Sequence, residues 1–223
     1  MDKQIIVIAP HPDDETLGCG GTILRHMAEG DNVHWLIVTD IQEDSGFSIE
    51  QVRRREAEIK EVALKYNFSS LQNLKLSPAQ LDNIPIGEIV EKIRQVFKQI
   101  NPEIVYLPYP GDIHTDHRIV FDAVSACTKW FRNKSVKRVL AYETLSETDF
   151  GIDPDNNGFR PNVFLDISGF LKTKIEIMKI YTSELGEFPF PRSEEAVRAL
   201  AAVRGLTSGC QEAEAFMLLK EII

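Results

Sequence analysis

Short apolar runs alternate with longer segments of helical spacing along the first two thirds of the chain, and this alternation limits the fold more than any other feature. The runs are QIIVIA, VHWLIV, LQNLKL, EIVYLP and VKRVLAY, at residues 4–9, 33–38, 71–76, 103–108 and 136–142. Segments in which apolar residues recur every three or four positions lie between and after them, at 16–30, 48–67, 86–100 and 115–131. Strands that alternate with helices of this length predict βαβ units around a mostly parallel sheet, with helices on both faces.

The pattern becomes less regular after about residue 143, where we expect a C-terminal elaboration. The predicted elements there are a turn-rich loop, a strand, a helix capped by Ser168, an extended loop and a helix that ends at Gly205, at residues 147–161, 162–168, 168–185, 186–193 and 194–205. No internal repeat and no long linker divides the sequence. We therefore expect one α/β domain over residues 1–223.

Composition narrows the function classes. A formal net charge of −9 argues against a nucleic-acid-binding surface, which normally carries a basic face. No apolar run approaches the ~18 residues of a membrane span, and the N-terminal stretch lacks the long apolar region of a signal peptide. Cys19, Cys127 and Cys210 lack CxxC spacing and predict neither a disulfide framework nor a thiolate zinc site. We expect a cytoplasmic protein that acts on a small molecule; the sequence leaves open whether it forms a homo-oligomer.

The stretch APHPDDETLGCGG, at residues 9–21, places one histidine and three acids directly after the first predicted strand. The neighbouring carboxylates of Asp13 and Asp14 repel each other and solvate poorly when covered, so a positive group is expected beside them. Glu15 fits a helix N-terminus, whose dipole favours a carboxylate, as well as it fits a catalytic role. The glycines that follow predict close helix packing rather than a phosphate site.

A second polar loop follows the fourth predicted strand. In a doubly wound sheet of order 3-2-1-4-5, strands 1 and 4 are neighbours where ligands bind, beyond the carboxyl ends of the strands. The loop after strand 4, PYPGDIHTDHRIV, carries His114, Asp116 and His117. Two histidines and one carboxylate around an open position form a catalytic zinc site. His11 and Asp14 are three residues apart, so one turn can aim both at a point that His117 reaches, and we expect these three to hold zinc.

The remaining polar residues suggest catalytic roles. Asp13 is placed to take a proton from a water that attacks a carbonyl, and His114 to stabilise an oxyanion or protonate a leaving amine. Asp116 could orient His114 or His117. Two alternatives remain open: the acids could cap the helix from Thr16 in a non-enzymatic nucleotide- or sugar-binding module, or the ligands could hold Fe(II) in a non-haem oxygenase.

The motif PHPDDE, followed by HTDH, resembles the LmbE-like (PIG-L) family of zinc N-deacetylases, and the resemblance extends over nearly the whole chain. That family includes the N-acetylglucosaminyl-phosphatidylinositol deacetylases and the deacetylases of mycothiol and bacillithiol synthesis. The spacing from Arg53 to Glu56, the stretch FRPNVFLDIS and AEAF at 213–216 are also similar to the family pattern. The resemblance implies a Rossmann-like fold, with Asp13 as general base, His114 stabilising the tetrahedral intermediate and Arg53 binding substrate.

The same resemblance implies hydrolysis of the N-acetyl group of an N-acetylated amino sugar or GlcNAc-type conjugate, with release of acetate after attack by a zinc-bound water. An amidase that acts on a non-sugar amide is the alternative within the family, and Fe²⁺ could replace Zn²⁺ on the same ligands. Two departures stand out: Asp112 lies where some relatives carry tyrosine, and YTSEL replaces the His-Ser-Gln of many relatives. Arg160 and Arg192 are further candidates to meet a substrate phosphate or carboxylate.

Overall fold

The computed structural model describes residues 2–152 and 158–223 and confirms the mostly parallel α/β architecture. Seven strands in these ranges form one sheet: β1 (Gln4–Ala9), β2 (Asn32–Thr39), β3 (Ser70–Leu76), β4 (Ile104–Pro108), β5 (Arg138–Tyr142), β6 (Val163–Asp166) and β7 (Ala213–Glu221). Six α-helices accompany them: α1 (Asp14–Ala28), α2 (Ile49–Tyr66), α3 (Ile86–Ile100), α4 (Thr115–Cys127), α5 (Leu171–Met178) and α6 (Glu194–Ser208). No helix within the described ranges has the length and apolar character that crossing a bilayer requires.

The sheet separates two apolar cores. Ile5 and Val7 of β1 belong to the core that α1, α2, α5 and α6 cover, whereas Ile6 and Ile8 belong to the core under α3 and α4. Alternate residues of a strand point to opposite faces, so a strand covered on both faces needs an unbroken apolar run. This burial explains why the first, second and fourth predicted strands read as near-continuous apolar sequence.

The strand order is β3-β2-β1-β4-β5-β7-β6, which confirms the predicted order for the first five strands. β1 pairs in parallel with β2 on one side and with β4 on the other, while β7 runs antiparallel to both β5 and β6. α1 and α2 cover one face of the sheet and α3 and α4 cover the other, so the chain changes face between β2 and β4. The loops after β1 and β4 therefore meet at the carboxyl edge, as a switch point requires.

The predicted helix at 168–185 is wrong in its length and in its cap. α5 spans only Leu171–Met178, and the residue before it is Phe170, not Ser168. Gly169 has a φ of +89°, so the chain is still turning there and cannot yet be helical. Beyond α5 the chain is no longer helical, and the Thr182 hydroxyl donates a hydrogen bond to Glu58 Oε1 of α2 at 3.1 Å.

The other differences from the sequence prediction include the ends of two helices and one strand. α4 ends at Cys127, not at residue 131. α6 continues to Ser208, and Gly205 lies inside it, where a Cβ would come within 2.6 Å of the Gln211 carbonyl oxygen. β7 was not predicted, because its apolar pattern is interrupted by Glu214, a buried carboxylate that accepts a hydrogen bond from Lys174 at 2.7 Å. The predicted loop at 147–161 lies partly outside the described residues.

The glycines of α1 serve close packing, as the sequence predicted. A Cβ on Gly18 would lie 2.3 Å from the Tyr142 ring, and one on Gly21 would lie 2.6 Å from Ile167. Tyr142 has no room to yield, because it is fully buried and its hydroxyl donates a hydrogen bond to the Ile8 carbonyl at 2.9 Å. The N-terminal half of α1 is thereby pressed against the sheet beside the carboxyl end of β1.

Gly18→Ala is therefore expected to lower the free energy of unfolding by about 1–3 kcal/mol, through overpacking against Tyr142. Gly87→Ala is the matched control, since Gly87 lies in α3 with open space around its Cα. That variant should be neutral or slightly stabilising, because alanine favours a helix over glycine. Denaturant unfolding of both variants checks the prediction, and equal effects would contradict it.

Candidate metal centre

A sharp turn joins β1 to α1 and fixes Asp13 in a strained conformation. The φ of Asp13 is 127° and its ψ is −29°, a region that residues with a side chain rarely adopt, at a cost of about 1–3 kcal/mol. Its carbonyl accepts hydrogen bonds from the amides of Thr16 and Leu17, but its side chain makes no capping bond to the helix. The carboxylate pairs instead with Arg192, at 3.1 Å, so the capping interpretation of this acid does not apply.

The three predicted metal ligands converge at the edge of the sheet. Oδ2 of Asp14 lies 3.3 Å from Nδ1 of His11 and 3.3 Å from Nε2 of His117. His11 comes from the turn after β1, Asp14 from the first turn of α1 and His117 from the first turn of α4. Ligands at about 2.0–2.2 Å from a tetrahedral zinc ion lie about 3.3–3.5 Å from one another, so these spacings suit such an ion.

A buried imidazole nitrogen supports the same site. His117 is fully buried, yet its Nε2 has no hydrogen-bond partner among the described residues. A buried polar atom without a hydrogen-bond partner destabilises the fold, and a ligand bound to this nitrogen would remove that cost. Its other ring nitrogen, Nδ1, lies 2.7 Å from Oδ2 of Asp112, so the lone pair of Nε2 is directed at the metal position.

Two other groups within the described residues bring three candidate ligand atoms together, but their atoms already have partners. In the first, which shares His11, Nδ1 of His114 accepts the Asp116 amide at 3.2 Å, and Oδ2 of Asp116 accepts the Ala79 amide at 2.7 Å. In the second, both ring nitrogens of His26 are bonded, to Asp31 and to Tyr106. The group of His11, Asp14 and His117 therefore fits a metal best.

Each candidate histidine ligand has its own carboxylate. Asp116 lies 3.1 Å from Nε2 of His11, and Asp112 is paired with His117. Backbone amides hold Asp116 in place, and the Thr148 hydroxyl donates to Asp112 at 2.6 Å. Such partners fix the orientation of a ligating imidazole. Asp116, predicted to orient His114 or His117, contacts His11 through its carboxylate and His114 through its backbone amide, whereas His117 is paired with Asp112.

The carboxylates control the charge of the site. Burial alone would lower the pKa of both imidazoles, but the adjacent carboxylates raise the pKa of His11 to about 9 and that of His117 to about 10. Burial would likewise raise the pKa of Asp14, and these histidines instead hold it well below its usual range. Burial, reinforced by Asp14, raises the pKa of Asp13 well above normal. The carboxylates thus favour protonated imidazoles, and each imidazole must release a proton before it can ligate a metal ion.

His114 lies beside these residues without joining them. Its ring centre is 4.4 Å from that of His11, and burial lowers the pKa of His114 to about 4. Because its Nδ1 accepts the Asp116 amide, the neutral ring carries its proton on Nε2. His114 lines a cavity of about 280 Å³, whose wall also includes His11, Asp13 and Asp14.

The structure does not bring Arg53 to this cavity. Arg53 is exposed on α2, whereas Arg55 is 8% exposed and lines the cavity. Arg55 donates to the Pro12 carbonyl at 2.9 Å and lies 3.3 Å from Glu58. The spacing R-x-x-E occurs twice in this helix, two positions apart, and the second occurrence is the one that reaches the site.

Glu184 and Arg192 also line the cavity. Arg192 was a candidate to contact substrate, whereas the sequence predicted no role for Glu184. Arg55 donates to the Glu184 carboxylate, which also lies 3.4 Å from Arg192. A chain of alternating charges therefore runs from α2 to Asp13. A sequence signal for Arg55 does exist, since it precedes Ile59, Val62 and Tyr66 at helical spacing on the buried stripe of α2. No comparable pattern marks Glu184.

Comparisons with known proteins identify relatives of this chain. The family model PIG-L, described as GlcNAc-PI de-N-acetylase, matches residues 6–128. Diacetylchitobiose deacetylase of Thermococcus kodakarensis is 30% identical over 234 aligned positions, which cover 95% of this chain and 81% of that protein.

Two solved structures share the fold. The conserved protein TT1542 from Thermus thermophilus superposes with a TM-score of 0.78 at 26% sequence identity. The superposition covers 99% of this chain and 96% of the TT1542 chain. N,N'-diacetylchitobiose deacetylase from Pyrococcus horikoshii also superposes with a TM-score of 0.78, at 20% sequence identity. This superposition covers 98% of this chain and 84% of the deacetylase chain.

The ligand group leads to a prediction about metal content. Purified protein should bind about one divalent ion per chain, and His117→Ala should lose it, because two remaining ligands cannot close the site. His34→Gln is the control: His34 lies on β2, and both of its ring nitrogens are bonded, to Ser70 and Gln4. Elemental analysis after mild dialysis measures both variants. Full metal content in His117→Ala would remove His117 from the ligand set.

Proposed function

Because the chain belongs to the PIG-L (GlcNAc-PI de-N-acetylase) family, we propose that it is a metal-dependent deacetylase that removes the acetyl group from an N-acetylated amino sugar. One observation carries the proposal: Nε2 of buried His117, without a hydrogen-bond partner among the described residues, and Nδ1 of His11 both lie at ligand spacing from Asp14, beside a second carboxylate, Asp13. A metal ion held there would activate a water and polarise the amide carbonyl as a Lewis acid. Zn²⁺ suits this set of nitrogen and oxygen ligands, and Fe²⁺ would also be accepted.

Asp13 is the proposed general base. Its carboxylate lines the cavity next to the metal position but takes no part in the ligand group, so it stays free to receive a proton. Its raised pKa, caused by burial and by Asp14, makes it a better proton acceptor than an ordinary aspartate. Arg192 holds one of its oxygens and thereby limits how the carboxylate can turn.

His114 is the proposed donor to the developing oxyanion. As a neutral ring with its proton on Nε2, it can donate a hydrogen bond without first losing or gaining charge. In the overall reaction, one water adds to the acetyl carbon and the C–N bond breaks. The proton taken up by Asp13 is passed to the leaving nitrogen, so that acetate and a free amine result.

The cavity supports a sugar substrate. It has about 280 Å³ of space, and its wall includes Asp40, Glu147 and Arg55. These groups can accept or donate hydrogen bonds to several hydroxyls of one ring, as a small polar ligand needs. The relatives named for acetylated amino sugars, such as the diacetylchitobiose deacetylases, favour the same substrate class over a non-sugar amide.

We also infer that residues 1–223 form one deacetylase domain, built on the sheet of β1 to β7. Arg192 lies 179 residues after Asp13 and nevertheless contacts it. The C-terminal elaboration therefore supplies part of the cavity wall, rather than forming a separate unit.

Asp13→Asn is expected to lower kcat by roughly 10²–10⁴-fold and to leave the metal bound, since asparagine keeps the shape of the side chain and cannot take up a proton. Acetate release from a panel of N-acetylglucosamine glycosides, with metal content measured in parallel, checks this. Asp122→Asn, on the exposed face of α4, is the control.

The same panel separates the alternatives. Acetate release only from simple non-sugar acetamides would indicate the amidase, and turnover that stops without oxygen would indicate an Fe(II) oxygenase. Full activity in Asp13→Asn would remove Asp13 as the base.

Arg55→Ala is expected to lower kcat/KM by roughly 10- to 100-fold, because a charged hydrogen-bond donor is lost from the cavity wall. Arg53→Ala, two positions away on the exposed face, is the matched comparison and should change kcat/KM by less than about twofold. Steady-state kinetics on one glycoside measures both. A loss at Arg53 without a loss at Arg55 would restore the assignment that the family resemblance implied.

A further inference from the structure

Glu15 is completely buried in the first turn of α1, where it takes no part in the candidate ligand group. Its Oε2 accepts the backbone amide of Asp13 at 3.1 Å. Its Oε1 accepts the hydroxyls of Thr16 at 2.6 Å and Tyr181 at 2.8 Å. Three neutral donors therefore converge on one carboxylate, two from its own turn and one from the segment after α5.

The residue that Glu15 holds is the strained one. Asp13 has a φ of 127°, a conformation that persists only when the surrounding structure enforces it. The amides of Thr16 and Leu17 hold its carbonyl, and Arg192 holds its side chain. The carboxylate of Glu15 holds the remaining polar group, the amide.

The Glu15 network is anchored outside α1. Tyr66, at the end of α2, donates from its hydroxyl to the Thr16 hydroxyl at 3.2 Å. Tyr181 belongs to the segment after α5 and is fully buried. The amide of Asp13 is thus tied through Glu15 to two elements that pack on α1, and it cannot turn without breaking buried hydrogen bonds.

We propose that Glu15 is a positioning residue, which fixes the strained backbone of Asp13 and thereby aims the Asp13 carboxylate into the cavity. This inference rests on the proposed function for its kinetic consequence, because Asp13 is the proposed base. Its structural content, the tie between Glu15 and the Asp13 amide, does not depend on that function.

Two substitutions distinguish positioning from general packing. Glu15→Leu removes every acceptor at this place. Glu15→Gln keeps one oxygen for the Asp13 amide, while the hydroxyls of Thr16 and Tyr181 can turn to accept from the new amide group. Tyr106→Phe is the control, because it deletes a buried hydrogen bond to His26 at the other end of α1.

Glu15→Leu should lower kcat by roughly 10- to 100-fold, with metal content retained and KM within about twofold, because a displaced base slows the chemical step and not binding. Glu15→Gln should recover most of the loss, and Tyr106→Phe should leave kcat unchanged. In an Asp13→Asn background, Glu15→Leu should have no further effect, since nothing remains to be aimed. Equal losses with and without Asp13 would show a merely structural role and overturn the proposal.

Amide hydrogen exchange provides a readout that needs no substrate. In Glu15→Leu, exchange at the Asp13 amide should accelerate at least about tenfold, while exchange at Leu17, within the same helix, stays unchanged. Unchanged exchange at Asp13 would overturn the inference. If the wild-type protein releases no acetate from any glycoside but the Asp13 amide loses protection, the proposed function fails and the positioning role stands.

Discussion

Three consecutive carboxylates are buried at the carboxyl edge of the sheet, and the arrangement of the site depends on how each is compensated. Asp13, Asp14 and Glu15 are each at most 3% exposed. Burying a charge is costly unless it is paired or hydrogen-bonded, and adjacent charges of the same sign add to that cost. The chain meets this with three kinds of partner: imidazoles for Asp14, a guanidinium for Asp13, and neutral donors for Glu15. Identical chemical groups at adjacent positions thereby acquire different properties.

The partners come from distant parts of the chain, and the sheet topology makes this feasible. The switch point between β1 and β4 brings His117 to Asp14, and the C-terminal elaboration returns across the same edge to bring Arg192 and Tyr181. A second buried ion pair, Lys174 and Glu214, holds the middle of α1. Glu214 of β7 accepts the amides of Gly21 and Thr22 and lies 2.7 Å from Lys174. The helix that carries the three acids is therefore held at both its start and its middle.

The sequence predicted the parts of this site that depend on short spacing and on sheet topology. The ligand group follows from one turn after β1 and one after β4, and the strand order places the two turns together. Arg55 escaped prediction because the family resemblance pointed to the first of two overlapping R-x-x-E spacings, although the apolar stripe of α2 marks the second. Glu184 escaped because it lies outside the helices and strands, where no periodic pattern marks a residue. β7 was not predicted because Glu214 interrupts its apolar pattern. The burial of this carboxylate depends on its ion pair with Lys174, which is distant in the sequence.

The contacts around the candidate ligand group show how the fold retains so unfavourable a cluster. Without a metal ion, the neighbouring carboxylates raise the pKa of both His11 and His117, so each imidazole is stabilised in its protonated form. A metal ion requires the same nitrogens as neutral ligands, so its binding must displace their protons. Asp112 and Asp116 contact the ring nitrogens of His117 and His11 that do not face Asp14, so a bound ion would leave these contacts in place. The strained turn at Asp13 is held by Glu15, Arg192 and two backbone amides of α1, none of which belongs to the candidate ligand group.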